Sequence, residues 1–164
     1  MIFLTVGNEL SFDRLSKAID QWCADNPGIL VFGQIGEPGP DGYRPQKFEW
    51  KPFITPEEYQ RKFKKAELIV AHAGMGSIIT ALTMNKPILI MPRRSKFREH
   101  RNDHQVATAQ RFSERSGILV AEDETKVGLM LDYWITNPHD VTVEGAKPFA
   151  EQRLIDKIKN FIWS

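Results

Sequence analysis

The sequence predicts an α/β domain, a parallel sheet with helices packed on both faces, formed by residues 1–164 as a single unit. Three observations carry that reading. Short β-branched runs alternate with amphipathic helical stretches, the order in which parallel strands lie side by side while the chain returns over the sheet between them. The helical stretches repeat apolar residues at steps of three and four, so each has one stripe to bury. A length of 164 residues, 41% hydrophobic and 26% charged, supports one normal core rather than two.

Met1 to Val6 is the first strand, and a Gly7-Asn8 turn leads to a helix near Phe12 to Ala24 with its stripe at Phe12, Leu15, Ile19, Trp22 and Cys23. Asn26-Pro27-Gly28 stops this helix, and Ile29 to Phe32 is the second strand. Gly36 to Pro45 holds three glycines and three prolines and predicts an irregular loop. Phe48 to Ile54 is a short third strand. Thr55-Pro56-Glu57-Glu58 then supplies a capping hydroxyl, a proline at the first helical position and a glutamate at the third, so a helix runs to about Lys65.

Leu68 to Ala71 is the fourth strand. The turn His72 to Ser77 opens a helix with a face of Ile78, Ile79 and Leu82, ended by Asn85-Lys86-Pro87, and Ile88 to Met91 is the fifth strand. A basic loop, Pro92 to Arg101, precedes a helix near Asp103 to Ser116, and Gly117 to Val120 is the sixth strand. Thr125 to Thr136 is helical and Asn137 to Pro148 is a polar crossover. The final helix, 147–163, carries a stripe of Leu154, Ile155, Ile158, Phe161 and Ile162 that needs a surface, either its own sheet or a partner's.

Charge and composition exclude several classes. A formal net charge of +1 provides no global field toward nucleic acid, so any anion preference must be local. Cys23 is the only cysteine, which excludes an internal disulfide or a cysteine-based zinc site and fits a reducing compartment. No apolar run approaches the length of a membrane span, so the expected location is the cytoplasm.

In open α/β sheets ligands bind at the carboxyl ends of the strands, which directs attention to the turns that follow them. At His72-Ala73-Gly74-Met75-Gly76-Ser77, two glycines allow close backbone approach, and the following helix N-terminus offers unpaired N–H groups to an anion such as a diphosphate. Ser77 either adds a hydroxyl donor or caps the helix. The glycines also suit a plain tight turn: the pattern lacks the last glycine of a dinucleotide fingerprint and the Gly-Lys-Ser/Thr of a P-loop. His72, at a strand end, is a candidate ligand contact. Arg93, Arg94, Lys96, Arg98 and Arg101 fall within nine residues and can hold a diphosphate or face anionic lipid, or simply be solvated. Gln105 is placed to read sugar hydroxyls. A metal site would need His100, His104 and a carboxylate such as Asp103, and no other cluster supports one, so no metal is expected.

Ile69 to Ile78, Asn85-Lys86-Pro87 and His104-Gln105, in this order and spacing, resemble the donor-binding half of glycosyltransferase family 28, enzymes of the GT-B fold. Thr5-Val6-Gly7 with Ser11-Phe12-Asp13-Arg14-Leu15, and Gln34-Ile35-Gly36, resemble the soluble subunits of two-subunit members acting in N-glycan and bacterial exopolysaccharide assembly. The resemblance extends from Met1 to about Val120. It implies a Rossmann-like half of a GT-B fold that binds a UDP-sugar as donor substrate, with no cofactor and no metal. Gly7 and Asn8 would then lie near the diphosphate, the backbone at Phe53 and Ile54 would hold uracil, and Gly74, Met75, Gly76 and Ser77 would meet phosphate or ribose. Arg93 would add charge to the diphosphate site, and His104 and Gln105 would face the donor sugar. His72 would be the catalytic candidate on this chain, although the resemblance places the base that deprotonates the acceptor in the other half.

One departure stands out: the family's ribose-binding glutamate is replaced here by Thr80. The resemblance further implies a membrane-anchored partner that binds a lipid-linked acceptor and holds this chain at the cytosolic face of the membrane, the pair transferring sugar with inversion and this chain being inactive alone. The alternative is a non-catalytic accessory subunit that activates or stabilises a partner glycosyltransferase.

Overall fold

A computed structural model describes residues 1–143, and the predicted helix at 147–163 lies outside them. Six parallel strands, β1 (Ile2–Thr5), β2 (Val31–Gln34), β3 (Glu49–Lys51), β4 (Leu68–His72), β5 (Ile88–Met91) and β6 (Ile118–Val120), form one sheet in the order β3-β2-β1-β4-β5-β6. Five helices connect or follow them: α1 (Asp13–Asp25), α2 (Pro56–Lys65), α3 (Met75–Thr83), α4 (His104–Phe112) and α5 (Glu124–Thr136).

The period-two geometry of the strands sorts one apolar set into two layers. Ile2 and Leu4 of β1, Val70 of β4, and Leu89 and Met91 of β5 pack with Leu15 and Ile19 of α1 and Val127 and Leu131 of α5. Phe3, Ile69, Ala71, Ile88 and Ile90 face the opposite side, against Phe63 of α2, Ile78 and Ala81 of α3, and Ala109 of α4. Phe3 is fully buried, with the rings of Tyr59 and Phe63 edge-on at 5.5 and 6.2 Å, so α2 is fixed over the middle of the sheet. This is a Rossmann-like doubly wound sheet whose strand order reverses between β1 and β4, the place where such sheets leave a crevice.

All six predicted strands are present, and the Thr55 hydroxyl accepts from the Glu58 amide as the capping sequence requires. Several boundaries differ, and β3, expected over Phe48 to Ile54, is confined to Glu49–Lys51. β2 begins at Val31 rather than Ile29, because the Asn26 turn continues through an Ile29 amide to Asn26 carbonyl bond and leaves Leu30 62% exposed. It ends at Gln34, a polar residue that is nonetheless buried.

α3 starts at Met75, so Gly76 and Ser77 belong to its first turn; its inward face is Ile78, Ala81 and Leu82, and Ile79 points outward, 55% exposed. Asn85, at φ 53°, takes the left-handed position after this helix, and the Lys86 amide reaches back to the Ala81 carbonyl. α4 ends at Phe112, where Ser113 to Ser116 turn into β6 instead of extending the helix. Among the described residues no helix is long and apolar enough to cross a membrane.

Candidate functional site

At the strand reversal the loops after β1 and β4 open side by side into a crevice with two lobes. One, of about 430 Å³, is lined by the loop Val6 to Leu10, by Gly74, Met75 and Gly76, and from the far side by Arg93, Glu99, His100, His104 and Gln105. The other, of about 440 Å³, lies over β2 and α2 and is lined by Thr5, Gln34, Ile54, Tyr59, Gln60, Ser77 and Thr80, with no charged side chain among the described residues of its walls. Gly7, Asn8, His72 and Gly76 line both, so the lobes are one continuous site. Each lobe has the volume of a small-molecule pocket.

The floor between the lobes is backbone. Gly74 is the residue before α3 and has no side-chain cap, so the amides of Met75, Gly76 and Ser77, without partners inside the helix by its geometry, open at the positive end of the helix dipole. No acidic residue occupies that first turn. The glycines have different reasons to be there. A Cβ on Gly74 would sit 2.2 Å from His72 Nε2, so this glycine makes room for the histidine ring; a Cβ on Gly76 would meet nothing within 4 Å and would project into open space. Gly7 combines both demands, with φ 83° and the His72 ring 3.1 Å from where a Cβ would lie.

His72 is therefore clamped between two glycine backbones at the centre of the crevice. Burial, reinforced by the positive charge of Arg93 and by His100, lowers its pKa to about 4. At neutral pH it is an uncharged imidazole, and its buried Nδ1 has no hydrogen-bond partner among the described residues. A neutral ring can give or accept one hydrogen bond with a ligand; it cannot serve as a cation for a phosphate.

Arg93, expected at the diphosphate site, lines the crevice and also has a structural duty. Its guanidinium is buried, 4% exposed, and donates to the carbonyls of Val6 (2.9 Å), Leu10 (2.7 Å) and Ser11 (2.8 Å) while lying 4.6 Å from the centre of the Phe12 ring. It ties the loop after β1 to the end of β5. Its charge still reaches the crevice, while three of its five N–H donors are committed to that loop. Gln105 is also more structural than expected: it is buried, and its Oε1 accepts from the Arg93 amide at 3.1 Å.

His104 is exposed at the crevice wall, its ring edge-on to His100 at 4.5 Å. The Asp103 carboxylate accepts from the Ser95 amide at 2.7 Å, and no group of three possible metal ligands occurs among the described residues. Thr80 lines the uncharged lobe and donates its hydroxyl to the Gly76 carbonyl at 2.8 Å. Ile54 lines this lobe, whereas Phe53 stands 51% exposed outside the lining.

Sequence reasoning passed over Gln34 and Glu99 as architecture. Gln34 donates to the carbonyls of Gly7 (3.0 Å) and Pro52 (2.9 Å) and accepts from Thr5, so it joins the glycine turn to the loop after β3. Glu99 takes a two-pronged ion pair from Arg14, at 2.6 and 2.7 Å, and accepts from the Arg94 amide at 2.9 Å, folding the basic loop back onto α1. The only sequence signal for Gln34 was its place in a quoted motif, and for Glu99 a lone carboxylate in a basic run.

The family description "Glycosyltransferase family 28 C-terminal domain" matches residues 1–130. A search of curated proteins finds no match. Among solved structures the chain is similar to MurG of Acinetobacter baumannii, with a TM-score of 0.63 and 19% identity over 96% of this chain and 49% of that one. It is similar to the glycotransferase of kitacinnamycin, with a TM-score of 0.59 and 20% identity over 83% of this chain and 34% of that one. It is also similar to ALG13, with a TM-score of 0.58 and 17% identity over 96% of this chain and 93% of that one. The chain thus spans about half of the first protein, about a third of the second, and nearly all of ALG13. At these identities the likeness is one of fold, that of one half of a GT-B glycosyltransferase. The match over residues 1–130 settles membership: the chain belongs to glycosyltransferase family 28 through that family's C-terminal domain.

Proposed function

We propose that this chain is the donor-binding subunit of an inverting glycosyltransferase that moves a sugar from a UDP-sugar to a lipid-linked acceptor in glycan or polysaccharide biosynthesis. The observation that carries the proposal is the uncapped N-terminus of α3, opening between two glycine turns where the two lobes meet. A nucleotide sugar has an anion between two uncharged ends. The crevice has matching parts: backbone donors and a dipole end at its centre, an uncharged lobe for the nucleoside, and a polar lobe at His100 and His104 for the sugar.

As the donor breaks, negative charge grows on the leaving diphosphate. Fixed amides of Met75, Gly76 and Ser77, with the Arg93 charge behind the loop, stabilise that charge without a metal and without reorganising. Transfer also needs a base for the acceptor hydroxyl and a surface to hold the acceptor. His72 lines both lobes between the glycine turns, so the role proposed for it is orienting the donor. A membrane-anchored partner supplies base and acceptor, holds this chain at the cytosolic face of the membrane, and receives the stripe Leu154 to Ile162. The proposed subunit has no transfer activity alone.

A second reading, an accessory subunit that binds donor poorly, is favoured by Thr80: its hydroxyl is turned onto the Gly76 carbonyl and the uncharged lobe has no carboxylate for ribose. Calorimetric titration of the purified chain with UDP, UDP-GlcNAc, UDP-glucose and UDP-galactose, with NADPH as control, separates the two. Saturable binding of a UDP compound supports the donor subunit. Silence from the chain and from its complex with the partner supports the accessory reading.

A further inference from the structure

The two lobes of the crevice differ in what they leave unsatisfied. Among the described residues, the buried side-chain polar atoms without a hydrogen-bond partner are Ser16 Oγ, His72 Nδ1, Arg94 Nε and His100 Nδ1. His72 and His100 line the polar lobe; of the four residues only His72, where the lobes meet, also lines the uncharged one. The polar side chains of the uncharged lobe are otherwise paired or wet. The Thr5 hydroxyl donates to Gln34 Oε1 at 2.9 Å, and the Gln34 amide commits both its N–H donors to the carbonyls of Gly7 and Pro52. The Tyr59 hydroxyl lies within reach of those of Ser77 and Thr5, and Thr80 donates its own to the Gly76 carbonyl at 2.8 Å. Asn8 and Gln60, the remaining amides, are exposed to solvent.

A ligand hydroxyl is read strictly when its loss strands a buried partner, and loosely when the polar groups of the site are already paired or solvated. In doubly wound sheets the group that reads a ribose 2′-hydroxyl is a carboxylate, an acceptor through both of its oxygens. None stands among the described walls of this lobe. Glu57 and Glu58, in the first turn of α2, lie outside the lining, and Glu58 is paired with Lys51 at 3.0 Å.

Geometry locates the position such a reader would hold. A ribose is bonded directly to the phosphate beside it, so with the diphosphate on the amides of Met75 to Ser77 the ribose falls within about one turn of α3. Thr80, one turn beyond Gly76 on the same face, is the side chain in the wall there. It presents a neutral oxygen whose proton is already given to the Gly76 carbonyl.

We infer that the site does not read the ribose 2′-hydroxyl, that it takes nucleoside diphosphate donors built on ribose or on 2′-deoxyribose alike, and that Thr80 sets this tolerance. The inference rests on the reading of this lobe as the nucleoside end of a donor site.

The test is calorimetric titration of the full chain with UDP and with 2′-deoxy-UDP, which differ by that one hydroxyl. The expected affinities lie within about threefold of each other. Thr80→Glu places a carboxylate in the lobe and favours UDP over the deoxy compound by about tenfold, with the melting temperature establishing that the variant is folded. A larger preference for UDP in the native chain overturns the inference, and this comparison needs no variant. Equal binding of the two compounds by folded Thr80→Glu overturns the assignment to Thr80. Silence toward both removes the donor reading and the inference with it, whereas UDP binding with rejection of the deoxy compound rejects the inference alone.

Discussion

The two glycines of the turn after β4 make opposite predictions when substituted. Gly76→Val adds a side chain where the protein has open space, so the fold survives, melting temperature is nearly unchanged, and nucleotide binding is lost because the crevice floor is filled. Gly74→Ala drives a methyl group into the His72 ring and lowers both stability and binding, which parallel melting and titration experiments would show together. Unchanged affinity in the Gly76 variant would remove the phosphate assignment.

His72 gives a prediction in pH. Its folded-state pKa of about 4 lies below the ordinary 6.5, so the unfolded chain takes up the proton first as pH falls. The stability this group contributes is full above pH 6.5 and is lost on the way down to about 4, by roughly 3 kcal/mol. Urea unfolding across that interval should show a steeper fall for the native chain than for His72→Gln. The glycine turn and its histidine were legible in the sequence because spacing shows them. The duty of Arg93 was not, since a buried arginine holding three carbonyls and a solvated one have the same letter.

At the scale of elements, α1 shows how a polar residue can be part of the architecture. The helical stripe predicted from Phe12, Leu15, Ile19, Trp22 and Cys23 is the buried face, but Asp20 is buried with it, 5% exposed. Its carboxylate accepts from the Tyr43 hydroxyl at 2.7 Å, from the Gln46 amide at 2.9 and 3.0 Å, and from the Lys47 amide at 2.7 Å, so it organises the glycine- and proline-rich segment that leads into β3. Asp20→Ala should destabilise the protein by about 2–4 kcal/mol in urea unfolding, because it leaves buried donors without a partner. By comparison, Thr55→Ala removes one exposed cap from α2 and should cost about 1 kcal/mol.

The cap was readable because its signature is local. The partners of Asp20 lie more than twenty residues away, and no periodicity reports them. The same reason explains α3: Ile79 continues the apolar spacing of its helix but falls on the outward, solvent-exposed side, which spacing alone does not reveal.

At the scale of the molecule, strand number, parallel order and the location of the crevice followed from the alternation of strands and helices, since the carboxyl-end rule needs only topology. The division of that crevice into a charged and an uncharged lobe did not follow, because it depends on which loops meet across the sheet. The proposed function implies a division of labour: the chain holds donor, and a separate surface holds acceptor. A reaction mixture of chain, UDP-sugar and lipid-linked acceptor should give no product until the partner is added, with product read by release of UDP. Product from the chain alone would place the base and the acceptor site here after all.

The most direct measurement is a map of amide chemical-shift changes in the isotope-labelled chain as UDP is added. The account predicts saturable shifts concentrated at Gly7 and Asn8, at Gly74 to Ser77 and along the lobe by Ile54 and Thr80, with the faces of α1 and α5 silent. Saturable shifts that leave the N-terminus of α3 untouched would contradict it.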